Sequence, residues 1–441
     1  MIFHSFSAEA MPLEAVRLAS ELKMNPQTVR VKLSELGRVM SIRGTDLALS
    51  LAKKPELGNV RADEWIVDCK KSIIFQPSTN KSRQIPRSGI LIESLSGILS
   101  INEKRFRDQI VVYPKELLSP YDESIRTNSQ CLVVNHINLE RYLESVVNGE
   151  FNSSWAEAAV EAQIIAARTY ALFQMKEMRK DRGRVFDVES TQKDQVYLGL
   201  DSADKKASIL VQRTRGMILS PKTSRNLDPI KAFYHSSCGG RTLLPEQVWG
   251  ARFAGFTKQV PCPFCANSPS YNWDYRLSFH EVEERIAHGL AVDTTGRKAW
   301  PKAYLKDPAR WFLVDIRAQN KPSDADKPTR SLLVSSAEAE PVDFHTSEVV
   351  FDYVDRNRLT EHLKVKMSAY TVRNWFDPAK LKSTWFSLTE IGRSVVFRGK
   401  GSGHGVGMCQ WGAKRMGEKG FTRDQILAHY YPGSKMTRIW K

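Results

Sequence analysis

The stretch from Asn138 to Arg182 most constrains what this chain can fold into, because it specifies two helices joined by a short elbow. Starting at Leu139, apolar residues recur at i, i+3, i+4, i+7 and i+8, which is the spacing of one face of a helix with 3.6 residues per turn. Asn138 is a favourable N-cap, and Gly149 is expected to end the helix in the left-handed conformation. The pattern therefore predicts a first helix that runs from residue 139 to the elbow.

A second helix follows the elbow, and one carboxylate lies between the two. Ser154 and Glu157 form the pattern of a capping box, which predicts where the second helix begins. Glu150 falls in the elbow beside Phe151 and Trp155, and burial against these rings would raise its pKa toward that of a general acid. A carboxylate at a helix junction is more often a solvated or capping residue. The local pattern leaves both interpretations open.

The chain is basic: Lys and Arg number 65 against 49 Asp and Glu, which gives a formal net charge of +16. Such an excess favours an extended anionic partner, either nucleic acid, an anionic membrane surface or an anionic wall polymer, and charge alone does not choose among them. No run of eighteen apolar residues is present, so no transmembrane segment is expected. The first residues lack the continuous apolar core of a secretory signal, which leaves a cytosolic protein or a form whose leader has been removed.

Short segments rich in β-branched residues surround the two predicted helices, which indicates an α+β fold. The hydrophobic content of 41% suffices for a large core. We predict one continuous architecture after a short lead-in, with an insertion that contains a polar, proline-containing loop. The predicted boundaries are a lead-in at 1–24, a β-rich part at 25–135, a core at 136–270 and 370–441, an insertion at 271–369 and its loop at 319–340.

Two closely spaced pairs predict a metal site. They are a His-x-x-Cys pair at His235 and Cys238 and a Cys-x-x-Cys pair at Cys262 and Cys265. Four such ligands would close a tetrahedral zinc ion of the structural kind. The spacing favours zinc over the alternative, in which the cysteines form a disulfide and His235 belongs to an active site. The other three cysteines are isolated in the sequence: Cys69, Cys131 and Cys409.

Glycine alternates with other residues over positions 399–407. Such a segment allows positive φ angles and close approach of the backbone to a ligand. It matches neither of the glycine-rich patterns that hold phosphate. His404 lies within it, well placed for hydrogen bonding. The alternative is a tight crossover in which the histidine is incidental.

Several long segments resemble, in order, the SpoIID/LytB family, the group of sporulation stage II protein D and the amidase enhancers. They include NHINLERYLESVVNGEFNSSW, EAQIIAARTYAL, FDVESTQKDQVYLG, KAFYHSSCGGRT and GSGHGVGMCQWGAKRMGEKGFTRDQILAHYYPG. These segments lie between roughly residues 130 and 440, and several long motifs in register are far more specific than any one of them.

The resemblance implies binding to the glycan strands of peptidoglycan and, in the SpoIID branch, lytic transglycosylase activity. Glu150 matches the family's catalytic acid, although Phe151-Asn152 stands where many members have Met-Pro. The resemblance also implies residues that line the substrate cleft. For one of them, Arg168, the alternative interpretation is a residue that forms a buried salt bridge. The implied substrate-binding residues are Arg168, Tyr234, Ser236, His404 and Gln410.

On this reading Glu150 first protonates the glycosidic oxygen and then takes the proton of the muramic acid C6 hydroxyl, which closes a 1,6-anhydro ring. Backbone amides of the glycine-rich segment would hold the strand. The alternative is an amidase enhancer, which binds glycan and stimulates a cell-wall amidase without cutting. A nucleic-acid binder ranks last, because no helix-turn-helix, RRM or finger pattern is present. The resemblance implies export to the cell envelope, periplasm or cell wall.

Overall fold

The computed structural model describes residues 27–34, 36–52, 60–79, 81–114, 131–224, 227–298, 300–319 and 345–440. The fold is α+β, as predicted. The chain divides into two compact units, the first formed by Met1–Ala232 with Gly417–Lys441 and the second by Phe233–Met416. The predicted lead-in and all but the first residue of the predicted polar loop lie outside the described residues. The predicted single architecture with an insertion stays a prediction.

The elements of the described residues, in chain order, are as follows. The strands are β1 (Thr28–Lys32), β2 (Val39–Leu51), β3 (Val60–Asp68), β4 (Ile73–Gln76), β5 (Lys81–Gln84), β6 (Ile90–Ile101), β7 (Lys104–Tyr113), β8 (Leu132–Asn138), β9 (Val188–Glu189), β10 (Met217–Pro221), β11 (Tyr234–His235), β12 (Asn272–Ser278), β13 (Trp311–Gln319), β14 (Glu348–Asp355), β15 (Arg358–Ser368), β16 (Phe386–Ile391), β17 (Ser394–Lys400), β18 (Met408–Cys409) and β19 (Ser434–Arg438). The helices are α1 (Leu139–Glu150), α2 (Glu157–Met178), α3 (Lys205–Arg213), α4 (Pro245–Trp249), α5 (Phe279–Val292), α6 (Thr294–Arg297), α7 (Lys302–Lys306), α8 (Ala369–Trp375), α9 (Gln410–Glu418) and α10 (Arg423–Tyr430).

A nine-stranded sheet forms the larger part of the first unit, in the order β5-β4-β3-β2-β6-β7-β8-β1-β9. Its neighbouring strands are antiparallel except for the edge pair of β1 and β9, which is parallel. β8 is almost wholly buried and leads directly into α1, so the sheet fixes the start of the helix that carries Glu150. Among the described residues, no helix combines the length and hydropathy that a membrane span requires.

A disulfide joins Cys69, which follows β3, to Cys131, which precedes β8. Their Cα atoms are 5.0 Å apart although 62 positions separate them in the chain. Both cysteines were judged isolated from the sequence, and the structure corrects this. β3 and β8 are not neighbours in the sheet, because β2, β6 and β7 lie between them, so neither linear spacing nor strand pairing indicates the bond.

The start of α1 agrees with the prediction, whereas its end does not. The Asn138 side chain accepts hydrogen bonds from the backbone N–H groups of Glu140 and Arg141, at 3.0 and 3.4 Å. Gly149 was predicted to end the helix, but it lies inside α1, which continues through Glu150. A Cβ atom on Gly149 would lie 2.2 Å from the carbonyl oxygen of Val196, so glycine is needed there for close packing.

The predicted capping box at the start of α2 was wrong. The residue before the first turn is Ala156, and no side chain caps it. The Ser154 N–H instead donates to the Asn152 side chain at 2.8 Å, within the elbow. α2 owes its position to burial, since most of its 22 residues are buried.

The described part of the second unit holds three small sheets and an aromatic core. β12, β17 and β16 form one sheet, β13, β14 and β15 another, and β11 pairs in parallel with β18. The core between them includes Trp273, Phe351 and Phe397, each at most 8% exposed. The pairing of β11 with β18 matters most for the site, because it places Tyr234 opposite Met408 and His235 opposite Cys409.

Candidate active site and cysteine cluster

Glu150 is the last residue of α1, and its half-buried carboxyl group has a defined backbone donor. The N–H of Val196 donates to Oε1 of Glu150. Burial raises the pKa of Glu150 to about 7, and the hydrogen bond from Val196 opposes this rise in part. The direction agrees with the expectation for an acid beside the packed rings of Phe151 and Trp155, whose centroids are 4.5 Å apart. A carboxyl group with a pKa near 7 can give and take a proton at neutral pH.

Val196 was not foreseen from the sequence. It lies 46 positions after Glu150, in the loop that follows β9. Close packing of this loop on α1 depends on the absence of a side chain at Gly149. The QVY segment that contains Val196 resembles the family, yet no local pattern predicts that one of its amides donates to Glu150.

The raised pKa of Glu150 predicts how Glu150→Gln changes stability with pH. Between pH 4.5 and about 7 the folded chain keeps a proton that the unfolded chain has lost, so stability falls as pH rises through this window. Glutamine carries no charge at any pH. Glu150→Gln should therefore raise the free energy of unfolding by up to about 3 kcal/mol at pH 8 and leave it unchanged at pH 4. Chemical denaturation at both pH values measures this, and an equal effect at the two would contradict the pKa.

Arg168 was expected among the substrate-binding residues, and the structure corrects this. Its side chain is fully buried and forms a two-pronged ion pair with Glu140, at 2.6 and 3.1 Å. It also donates to the Met217 carbonyl at 3.2 Å. The alternative interpretation, a buried salt bridge, is the one the structure has. A guanidinium with no exposed surface does not contact a glycan.

The structure brings four other predicted site residues into the second unit. Tyr234, Ser236 and His404 are half-buried, and Gln410 is buried at the start of α9. Burial lowers the pKa of His404 well below its usual value, so its ring is neutral. Its Nδ1 accepts from the Val406 N–H at 3.1 Å, and the Tyr234 backbone carbonyl is its other partner. These contacts fix the ring as a neutral hydrogen-bonding group.

The glycine-rich segment packs backbone against backbone. The amides of Gly401, Ser402 and Gly403 donate to carbonyl oxygens of the protein at 2.9, 2.7 and 2.8 Å. At Gly401 and Gly403 φ is positive, and a Cβ atom would lie 2.5 Å from the Ser237 oxygen and 2.8 Å from the His235 side chain. The hypothesis that these amides hold a glycan strand is therefore wrong for these three. The tight crossover explains the glycines.

Four buried cysteines converge in the second unit, and they differ from the predicted metal ligands. The sulfurs of Cys238, Cys262, Cys265 and Cys409 all lie within 4.8 Å of one another, and none of the four forms a disulfide. His235 is a correction: its Nδ1 lies 3.0 Å from the Val406 carbonyl, and it is not in the group. Cys409, which was judged isolated, takes its place.

Backbone donors surround the sulfur of Cys409. The N–H groups of Cys238 and Gly412 lie 3.4 and 3.3 Å from it. Donors of this kind orient the sulfur, as outer partners do in metal sites. The cluster therefore has both the sulfurs and the supporting hydrogen bonds that a tetrathiolate metal site requires.

Comparison with known proteins agrees with the resemblance. Residues 127–220 match the family model described as SpoIID, Stage II sporulation protein. They include both helices of the elbow, Glu150 and Val196. The elbow and the half-buried acid thus lie in the segment that resembles the stage II sporulation protein class. The match supports the resemblance to the SpoIID/LytB family.

Individual relatives have low sequence identity to this chain but align with most of its length. The chain is 25% identical to an uncharacterized protein of Brachyspira hyodysenteriae over 93% of its own length and 92% of the relative's. It is 26% identical to the amidase enhancer of Bacillus subtilis over 67% of its length, and it spans 40% of that protein. It is 26% identical to stage II sporulation protein D of Bacillus amyloliquefaciens over 68% of its length and 74% of the relative's.

Proposed function

We propose that this protein acts on bacterial cell wall as a lytic transglycosylase that cleaves peptidoglycan glycan strands at the bond between N-acetylmuramic acid and N-acetylglucosamine. The observation that carries the proposal is the half-buried carboxyl group of Glu150 with its pKa of about 7. The match of residues 127–220 to the SpoIID family model supports the substrate class. Glu150 is the general acid and then the general base.

One carboxyl group suffices for this reaction. Glycosidases that hydrolyse the bond use two carboxylates, one to protonate the leaving oxygen and one to activate water or attack the sugar. In a lytic transglycosylase the C6 hydroxyl of the muramic acid is the nucleophile. Glu150 protonates the glycosidic oxygen, becomes a carboxylate, and takes the proton of that hydroxyl as the 1,6-anhydro ring closes. A pKa near the working pH serves both steps.

The test is to incubate the purified protein with sacculi and with glycan strands stripped of stem peptides, and to analyse the products by mass spectrometry. We expect 1,6-anhydro ends that increase with time. Strand binding without such ends would reject the transglycosylase. Comparing the two substrates also shows whether the strands must first lose their peptides.

The second candidate is an amidase enhancer, which binds glycan and stimulates a separate cell-wall amidase. The similarity to the Bacillus subtilis amidase enhancer favours it. Adding the protein to a reaction of a wall amidase with sacculi would then speed the release of stem peptides, and Glu150→Gln would stimulate as well as wild type.

The disulfide and the charge support export to the cell envelope. Disulfides such as Cys69–Cys131 form and persist in oxidising compartments outside the cytoplasm. The net charge of +16 suits attraction to the carboxylates of muramyl peptides and to anionic wall polymers. Both features agree with a protein that works in the cell envelope, in the periplasm or the cell wall.

We also propose that the four cysteines of the second unit hold a structural zinc ion. A tetrahedral zinc with Zn–S bonds of about 2.3 Å separates its sulfurs by about 3.8 Å. The sulfurs of Cys238 and Cys265 are 3.6 Å apart, and all four fall within 4.8 Å. Four protein ligands leave no open position, so the ion would stabilise the fold and take no part in cleavage.

Metal analysis of two variants distinguishes the ligand set in the structure from the one the spacing predicted. Cys409→Ser is expected to reduce bound zinc at least about tenfold, since it removes a ligand. His235→Gln is expected to keep zinc at the wild-type level. Loss of zinc in His235→Gln with retention of zinc in Cys409→Ser would support the ligand set that the spacing predicted. A wild-type protein without bound zinc would reject the zinc proposal.

A further inference from the structure

Gln195 links the two helices of the elbow from inside the protein. Its side chain is fully buried. Its Oε1 accepts from the Tyr142 hydroxyl of α1 at 3.0 Å, and its Nε2 donates to the Ala167 carbonyl of α2 at 3.2 Å. The side-chain amide is thus held at both its acceptor and its donor end, by one group from each helix.

The residue before Gln195 is anchored as well. Oδ1 of Asp194 accepts from the Tyr170 hydroxyl at 2.8 Å and from the Gln174 side chain at 2.7 Å. Oδ2 accepts from the Glu189 N–H at 2.8 Å. The two successive side chains therefore fix the backbone that leads into Val196.

The next peptide group is the one that meets the acid. The Val196 N–H donates to Glu150, and the Val196 carbonyl occupies the space that a side chain on Gly149 would take. Movement of the Gln195 backbone would therefore shift the donor away from Glu150. A buried amide held by two helices is well suited to prevent such movement.

We infer that Gln195 is a positioning residue for Glu150, since its bonds to Tyr142 and Ala167 hold the Val196 N–H against the Glu150 carboxyl group. The inference rests on the proposed function only in that Glu150 is taken as the reacting acid. Gln195 itself touches no substrate in this account. It acts through the backbone of its neighbour.

The position of the Val196 N–H affects the pKa of Glu150. A backbone N–H donated to a carboxylate stabilises the charged form, and the Val196 bond indeed lowers the Glu150 pKa against the effect of burial. Loosening it should raise that pKa. On α1, the charge of Glu150 contributes to the raised pKa of Tyr142. The other titratable groups around this network are Asp194, Tyr170, Tyr197 and Lys231.

The test measures the Glu150 pKa directly in the full chain. Glutamate is labelled with ¹³C at the carboxyl carbon, the Glu150 signal is assigned as the one that Glu150→Gln lacks, and its shift is followed with pH. Gln195→Met keeps the length of the side chain but removes both hydrogen bonds. We expect its Glu150 midpoint to rise by about 0.5 to 1 unit, which corresponds to the loss of one net hydrogen bond.

Two further variants keep the inference falsifiable. Tyr142→Phe removes only the hydroxyl that binds Gln195, so it should raise the midpoint in the same direction even if Gln195→Met does not fold. Gln163→Met makes the same change at a different buried glutamine, which lies in α2, and should leave the Glu150 midpoint unchanged. An unchanged midpoint in Gln195→Met, or in Tyr142→Phe where the former does not fold, overturns the inference.

Activity provides the second readout and separates this inference from the proposed function. If wild type releases anhydro products, the alkaline limb of its pH profile, where Glu150 loses the proton it must donate, should move to higher pH in Gln195→Met by the same amount as the midpoint. A purely structural role would lower the rate at every pH without moving the limb, and would overturn the inference. A wild type that releases no product rejects the transglycosylase, whereas the titration still decides the role of Gln195.

Discussion

Replacing Glu150 by glutamine is expected to lower the release of 1,6-anhydro products from glycan strands by about 10²- to 10⁴-fold, the usual contribution of a general acid–base group. Glutamine has nearly the same shape, and its side-chain oxygen can still accept from the Val196 N–H. It cannot donate an acidic proton to the leaving oxygen or take one from the C6 hydroxyl. The loss therefore follows from chemistry, with the elbow intact.

Two measurements accompany the rate. Sedimentation with sacculi should show that Glu150→Gln binds the wall as wild type does, because the substitution leaves the strand contacts in place. Glu157→Gln is the matched control: this glutamate begins α2, has a side chain 54% exposed, and pairs with Arg213 at the surface. It should cleave at the wild-type rate. Undiminished product release by Glu150→Gln would remove Glu150 from the mechanism.

The second large effect is on stability, at Arg168. Arg168→Met is expected to lower the free energy of unfolding by about 3 to 5 kcal/mol, because it leaves the buried charge of Glu140 without its partner. The side chains of the pair are 0% and 2% exposed. Urea denaturation measures the loss. Removing both charges in Arg168→Met with Glu140→Leu should recover much of it, since no uncompensated charge then remains.

An exposed arginine provides the contrast. Arg213 pairs with Glu157, and their side chains are 48% and 54% exposed. It also pairs with Glu161, which keeps Arg423 as a second partner. Arg213→Met should therefore lower the free energy of unfolding far less than Arg168→Met. If Arg168→Met were as stable as Arg213→Met but failed to bind glycan, the substrate role that the family resemblance implied for Arg168 would be restored.

How much of the site was predictable depends on how far apart in the chain its parts lie. The Asn138 cap and the elbow were found because their evidence spans a few residues. Glu150 was singled out there, although the local pattern left its role open. Val196, the donor to Glu150, was not predicted, because the sequence of a loop does not indicate which carboxylate a backbone amide of that loop will contact.

The cysteine cluster shows the same limit. Cys238, Cys262 and Cys265 were identified from pairs with two intervening residues. The fourth position was assigned to His235 because it completes the local pattern. The structure instead brings in Cys409, whose sulfur accepts from the backbone N–H of Cys238, 171 positions earlier in the chain.

The sequence by itself determined the fold class, the two helices, the acid between them and the resemblance to the SpoIID/LytB family, because periodicity, caps and long motifs depend on neighbouring residues. Only the tertiary structure decided what each of these groups touches. Folding of the sheet brings Cys69 to Cys131, the pairing of β11 with β18 places Cys409 opposite His235, and burial of the elbow raises the pKa of Glu150. Burial and hydrogen bonding depend on contacts between distant segments, and those contacts exist only once the chain has folded.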